Sequence, residues 1–304
     1  MTLGDPAGIG PDVVSKALEA RPDESHTADW VVFGPDAIAE RIAGAHRVSC
    51  VKLPAFHGAR GGPSAASGEA SLQALMGAIE AAKSGEVDAI CTAPISKEAL
   101  AMAGSADRGH TEILARELGD GPTAMSFFGE RLRAVLVTTH MPLRDAIAAL
   151  DEERILECAR LLDQALRGPL GVSQPRVALA ALNPHAGEAG LLGSEEIELL
   201  APAVVRARGE GLDVHGPLPA DAVFRQALDG EFDGVIALYH DQALIPLKLL
   251  GFGETTNVTL GLRVPRTSPD HGTAYDRVGT DAIRADGMIA ALDWALRLAT
   301  PGSA

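Results

Sequence analysis

The sequence predicts an α/β sandwich. Short apolar runs alternate with helical patterns along the chain. Several runs, such as Ala134-Val135-Leu136-Val137, lack the alternation of a half-exposed strand, as expected when both sheet faces are covered by helices. The 304 residues, set against roughly 100–200 per ordinary domain, suit two domains or one large α/β unit.

Taken in chain order, the strand candidates are Trp30–Phe33, Ala89–Ala93, Ala124–Phe128, Ala134–Thr139, Val177–Leu182, Gly234–Tyr239 and Thr256–Leu260. Each is too short for a helix and is bounded by turn or polar residues. Helical patterns cover Asp12–Ala20, Glu69–Lys83, Glu112–Leu118, Glu152–Leu166, Ser194–Arg208 and Asp281–Leu298. Pro11 suits a first helical turn, and Ser194-Glu195-Glu196 reads as an N-terminal cap. Gly58 to Ser67, rich in Gly, Ala and Ser, reads as a flexible surface loop.

Composition narrows the function classes. Lys plus Arg number 26 against 41 Asp plus Glu, a net charge of −15 with no basic run, so nucleic acid is not an expected partner. Cys50, Cys91 and Cys158 are an odd number without CxxC spacing and form neither a disulfide framework nor a zinc knuckle. No apolar stretch is long enough to span a membrane, and Met1-Thr2-Leu3-Gly4-Asp5 lacks the pattern of a secretion leader. A reducing cytoplasm is the expected compartment.

The chemistry concentrates at strand ends. His140, His185 and His240 each follow an apolar run, and ligands of open α/β sheets bind outside the carboxyl ends of strands. A lone histidine there is ordinarily just a satisfied loop residue; three in the same context point to imidazoles converging on a metal. Neutral nitrogen donors suit zinc or another late first-row ion better than magnesium or calcium. Asp241 and Gln242 beside His240, and Arg144-Asp145 beside His140, stand ready to orient ligands or meet substrate. His26, His46, His57 and His215 read as surface or loop residues without a role. Gly4-Asp5-Pro6-Ala7-Gly8-Ile9-Gly10-Pro11 can bring backbone N–H groups close to an anion, and can equally be a tight turn. Thr267-Ser268-Pro269-Asp270-His271-Gly272-Thr273-Ala274 reads as a polar binding loop, or else a solvated turn. Asp221, after a Pro-rich turn, is a functional acid or a helix cap.

These segments, with Thr92-Ala93-Pro94-Ile95-Ser96-Lys97, Gly109-His110-Thr111-Glu112, Leu182-Asn183-Pro184-His185-Ala186-Gly187-Glu188 and Tyr239-His240-Asp241-Gln242, resemble the 4-hydroxythreonine-4-phosphate dehydrogenase family of vitamin B6 synthesis. The resemblance implies an isocitrate/isopropylmalate dehydrogenase-like fold: two α/β/α sandwich domains sharing a mixed sheet, with the active site in the interdomain cleft. The expected division is 1–110 plus 252–304, on the cofactor side, and 111–251, on the metal and dimer side. It implies NAD-dependent oxidation of a phosphorylated 3-hydroxy acid followed by loss of CO₂. Carried over residue by residue, His140, His185 and His240 match the metal ligands, contributed by two subunits of a homodimer. His110, Thr111, Lys248, Asn257 and Arg266 match substrate contacts. Lys248 and Asp221 are the catalytic candidates, and Gly8, Gly10, His271, Gly272, Thr273 and Ala274 the cofactor-binding ones. The implied cofactors are NAD and a divalent ion, zinc first, with cobalt or magnesium as alternatives.

Two departures from the family stand out. Only Met1-Thr2-Leu3 precede the Gly-Asp-Pro segment, where relatives carry a longer apolar strand, so sheet pairing near residue 5 is expected to be weak. Asp107-Arg108 replace a more apolar pair before Gly109-His110, so the pocket is expected to differ in detail. Three readings compete with the main one: a paralogue acting on erythronate or threonate 4-phosphate, a three-histidine metallohydrolase needing no nicotinamide, and a silent small-molecule binder.

Overall fold

The computed structural model describes residues 1–21, 28–46, 48–107, 109–251 and 253–299, so His26 and Arg108 lie outside the described residues. In chain order the elements are α1 (Gly10–Glu19), β1 (Val31–Pro35), α2 (Asp36–His46), β2 (Ser49–Leu53), α3 (Ala65–Lys83), β3 (Ile90–Cys91), α4 (Lys97–Met102), α5 (His110–Leu118), β4 (Gly119–Phe128), β5 (Arg133–Leu136) and α6 (Leu143–Ala148). They continue with α7 (Glu152–Arg167), β6 (Arg176–Ala180), α8 (Ala201–Gly209), β7 (Asp213–Leu218), α9 (Ala220–Leu228), β8 (Gly234–Ala237), α10 (His240–Leu250), β9 (Thr256–Leu262), β10 (Arg266–Pro269) and α11 (Asp286–Ala299). All seven expected strands are present. The fold is α/β with a mixed sheet.

The chain divides into two units, residues 1–120 with 262–299, and residues 121–261. The expected boundaries fall about ten residues before these. The shift at the first boundary has a packing reason: Ile113, Leu114 and Leu118 of α5 share a core with Leu75 and Ile79 of α3, which keeps α5 in the first unit.

In the first unit β1 and β2 pair in parallel, as do β3 and β10. A second core packs Val13 and Val14 of α1 against Ile42 of α2 and Met288 and Leu292 of α11. The weak pairing expected at the chain start is not what forms: Thr2 bridges both Phe33 and Thr92, and Leu3 is fully buried. Two more expectations are corrected here. Arg266–Pro269 is a buried strand, not a polar loop, because β3 satisfies its backbone and Thr267 Oγ1 donates to Ala291 O of α11 at 2.7 Å. The supposed flexible loop up to Ser67 ends in a helix start: Ser64 and Ser67 form a capping box, and Ser67 is fully buried.

In the second unit the strand order is β9-β4-β5-β8-β6-β7. β4 runs antiparallel to β5, while β5, β8, β6 and β7 run parallel to one another. β8 is buried along its whole length, as the unbroken apolar pattern requires. One face packs Leu136, Ala180 and Val235 against Phe224 of α9 and Leu244 of α10. His215 lies on β7 with its ring against Phe232, rather than in a loop, and His46 bonds Ser15 Oγ.

Candidate active site

β5, β8 and β6 are adjacent parallel strands, and their carboxyl ends lead into His140, His240 and His185 respectively. The ends are tied together by Gln242, which the sequence left as a site group. Its Oε1 accepts from Leu238 N–H at 2.7 Å and its Nε2 donates to Ala181 O at 2.8 Å, so Gln242 joins the ends of β8 and β6. Arg144 and Asp145 are exposed on α6.

His140 and His240 come together, ring centroids 5.2 Å apart and planes tilted by 44°. They line a pocket of about 210 Å³ with Thr139, Met141, Tyr239 and Asp241. His240 opens α10, and its Nδ1 lies 2.7 Å from Asp241 Oδ1. A carboxylate at Nδ1 leaves Nε2 for a ligand, the arrangement that orients a metal-ligating histidine. The His140 and His240 imidazoles together are donors of the kind a late first-row divalent ion takes. Among the described residues of one chain, no three His, Cys, Asp or Glu side chains gather to complete a metal site.

His185 stands apart because of the backbone that carries it. Five successive residues are left-handed: His185 (φ 53°), Ala186 (54°), Gly187 (79°), Glu188 (47°) and Ala189 (55°). Left-handed geometry costs a non-glycine residue about 1–2 kcal/mol, so the turn needs support. The support is Glu196, which the sequence read as part of a helix cap. Its side chain turns inward, and the helix there begins instead with a π turn at Glu196–Leu200. Glu196 Oε1 accepts from Leu182 N–H (2.9 Å) and Asn183 N–H (2.7 Å), and Oε2 accepts from Asn183 Nδ2 (2.9 Å). Hydrogen bonds to a charged group contribute about 1.5–3 kcal/mol each, enough in sum to match the strain. Burial pushes the Glu196 carboxyl up, but the bonds from Asn183 and Leu182 outweigh it and hold the group below its ordinary value.

A second cluster lies in the first unit. Arg266 is buried, with Nε and Nη2 donating to Thr92 Oγ1 at 3.2 and 2.8 Å. Burial draws its guanidinium down to about 10, so it remains charged at neutral pH. His110 opens α5; its Nε2 is buried without a hydrogen-bond partner. Burial first, and then the Arg266 charge, hold His110 well below its usual pKa, so the ring is neutral. A fixed cation beside a neutral imidazole is suited to an anionic ligand. Thr111 follows, half-buried.

The two cofactor-loop segments also meet in this unit. Ile9 N–H donates to Thr273 O at 3.0 Å, and a Cβ at Gly8 would lie 2.7 Å from that same oxygen, so only glycine fits. Gly10 is equally constrained, since a Cβ there would lie 2.2 Å from Leu3 O. Gly272 faces open space and His271 is exposed. Sequence reasoning missed what joins them: Asp5, fully buried, accepts from Ala7 N–H (2.8 Å), Ser67 Oγ (3.3 Å) and Tyr275 OH (2.6 Å).

The remaining candidates belong to the second unit. Lys248 lies in the last turn of α10, roughly 12 Å along the helix from His240. Asn257, on β9, has a buried Oδ1 without a partner. Asp221 is exposed in the first turn of α9, two residues past the N-cap position, which Pro219 occupies.

A family profile described as "Pyridoxal phosphate biosynthetic protein PdxA" matches residues 12–295. The chain belongs to the PdxA family. It is 43% identical to the 4-hydroxythreonine-4-phosphate dehydrogenase of Beijerinckia indica, over 99% of this chain and 95% of that one. It is 39% identical to the D-threonate 4-phosphate dehydrogenase of Salmonella typhimurium, over 98% of each. A crystal structure of 4-hydroxythreonine-4-phosphate dehydrogenase from Klebsiella pneumoniae superposes with a TM-score of 0.88 at 38% identity, covering 98% of this chain and 96% of that one. In fold alone it also resembles isocitrate dehydrogenase from Methylococcus capsulatus, with a TM-score of 0.51 at 14% identity, covering 97% of this chain and 83% of that one. PdxA membership makes the chain one of a family of dehydrogenases connected with pyridoxal phosphate synthesis. No helix among the described residues is long and apolar enough to cross a membrane.

Proposed function

We propose that the protein oxidises 4-phosphooxy-L-threonine with NAD⁺ to the 3-oxo acid, which loses CO₂ to give 3-amino-2-oxopropyl phosphate. The observation that carries this reading is the His140–His240 pair at adjacent strand ends, with Asp241 fixing the ring of His240. His140, His240 and His185 would hold the divalent ion, zinc or cobalt in preference to magnesium. When bound, the ion supplies Lewis acidity, polarising the substrate hydroxyl and steadying the charge left by decarboxylation.

The chain's own groups do the rest. Arg266 grips an anionic group of the substrate, and neutral His110, with Thr111, hydrogen-bonds it without adding charge. Asn257 offers its buried Oδ1 to a donor on the substrate. Lys248 and Asp221 are the groups assigned to binding charge and moving protons. The paired loops at Gly8-Ile9-Gly10 and His271–Ala274 form the NAD platform, where close backbone packing and open space at Gly272 favour a dinucleotide.

His185 serves the site of a second copy, making the enzyme a homodimer with ligands from both chains. Two observations support this: His185 is exposed and apart from the other pair, and Leu191 and Ile197 beside its turn are 83% and 56% exposed, as an interface requires.

A second reading, oxidation of D-threonate 4-phosphate, is favoured by the relative of that name at similar identity. NADH absorbance followed with both phosphorylated acids decides between them; 4-phosphooxy-L-threonine is expected to give the higher kcat/KM. Absence of NADH with either acid, or full turnover after exhaustive chelation, would overturn the proposal.

A further inference from the structure

We infer that Glu196 is a positioning residue for metal binding: its buried carboxylate holds the left-handed turn that presents His185, and so sets the affinity of the site. The inference rests on the proposed role of His185 as a ligand.

Within its own chain His185 is exposed, so neighbouring side chains of that chain do little to fix its ring. Its direction is set by the backbone at φ 53°, within a run that free L-residues leave readily. What prevents this lies just upstream. Glu196 receives the amides of Leu182 and Asn183 on one oxygen and the Asn183 side chain on the other, immobilising the two residues before Pro184. Glu195 Oε2 takes the same Asn183 Nδ2 at 2.7 Å. The carboxylate is also seated against the turn itself, since a Cβ on Gly187 would fall 2.7 Å from Glu196 Oε2. The bonds of the turn itself are backbone ones, Ala186 N–H to Asn183 O at 3.2 Å, Leu191 N–H to Glu188 O at 3.2 Å and Leu192 N–H to Gly187 O at 3.1 Å. Asn183 and Glu196 are therefore the joint that converts a buried interaction into the placement of an exposed imidazole.

The size of the effect follows from occupancy. A ligand that is correctly placed for only a fraction of the time weakens apparent affinity by that fraction. Loss of a group that orients a metal ligand typically costs 10–100-fold in affinity. Glu196→Gln keeps the shape but turns an NH₂ toward an existing donor, so at least one of the three bonds is lost.

The test is Co²⁺ affinity of the metal-free full-length protein, measured by equilibrium dialysis and the visible Co²⁺ spectrum. Thermal stability, sedimentation mass and kcat at saturating metal are recorded alongside. Glu196→Gln is expected to bind Co²⁺ about tenfold or more weakly, with kcat near wild type once the site is filled and with unchanged mass. A merely structural glutamate would lower thermal stability and leave the Co²⁺ affinity alone. If Glu196→Gln does not fold, Asn183→Ala decides, because it removes the bond to Oε2 while leaving the carboxylate and the left-handed residues themselves unaltered. Affinity within about twofold of wild type in the folded variant, while His185→Ala has lost Co²⁺, overturns the inference and leaves the ligand assignment standing. Wild-type affinity in His185→Ala removes the ligand assignment and this inference with it.

Discussion

Arg266 and His110 show how burial gives two neighbouring residues opposite tasks. The guanidinium stays charged when buried and the imidazole does not, so the pair sets a cation beside a neutral donor-acceptor, as the proposed substrate site needs. Arg266→Lys and Arg266→Ala should raise the Michaelis constant for the phosphorylated acid by tenfold or more, as loss of a charge-assisted bond of about 1.5–3 kcal/mol requires, and change that for NAD⁺ less. Steady-state kinetics with both substrates varied give the answer; a larger rise for NAD⁺ would place Arg266 in the cofactor site. His110 leaves a mark on stability. Its folded pKa lies well below 6.5, so below that pH the unfolded chain takes up a proton that the folded chain refuses. Its contribution is present above pH 6.5 and is lost as the pH falls below it. His110→Asn should flatten the fall in urea midpoint between about pH 7 and about pH 5 relative to wild type.

At the level of elements, the site is made of strand ends and the turns that leave them. The apolar runs of β5, β8 and β6 were legible because strands buried on both faces carry local, unbroken hydrophobicity. β10 was not: Arg266-Thr267-Ser268-Pro269 has the composition of a loop and becomes a strand only because β3 and α11 cover it. α10 is broken in pattern by Pro246, which sits inside the helix. Tyr275 ties the proposed cofactor loops through Asp5 as Glu196 ties the segment before His185. Burial first, then the Asp5 hydrogen bond, raise the Tyr275 phenol to about 12, so it remains a donor to Asp5 throughout the neutral range. Tyr275→Phe should cost about 1.5–3 kcal/mol of stability and raise the Michaelis constant for NAD⁺, leaving that for the acid nearly unchanged. An unaltered NAD⁺ constant would show that the loop keeps its shape without Asp5.

For the whole molecule, the decisive question is whether one chain completes a site. His140 and His240 meet within a chain while His185 faces outward, so complementation is a direct measure. His140→Ala, His185→Ala and His240→Ala should each lose metal and turnover while retaining the fold. Mixing unfolded and co-refolded His140→Ala with His185→Ala should restore about a quarter of wild-type activity, since half the dimers are mixed and each has one intact site of two. Mixing His140→Ala with His240→Ala should restore none, because those two ligands come from the same chain. Recovery in neither mixture would refute the shared site.

The sequence by itself determined the α/β class, seven of the ten strands among the described residues, and the three histidines at strand ends, because hydrophobic runs and the residues that follow them are local properties. It also carried the family resemblance, since ordered motifs survive where overall identity falls. Only the tertiary structure decided that Arg266 is buried, that His110 is neutral, that Asp5 joins three distant segments, and that Glu196 turns inward beneath a left-handed turn. These depend on which backbone amides and charges converge from remote positions. A glutamate after Ser194 reads as a helix cap until the amides of Leu182 and Asn183, more than ten residues upstream, are seen to occupy its carboxylate.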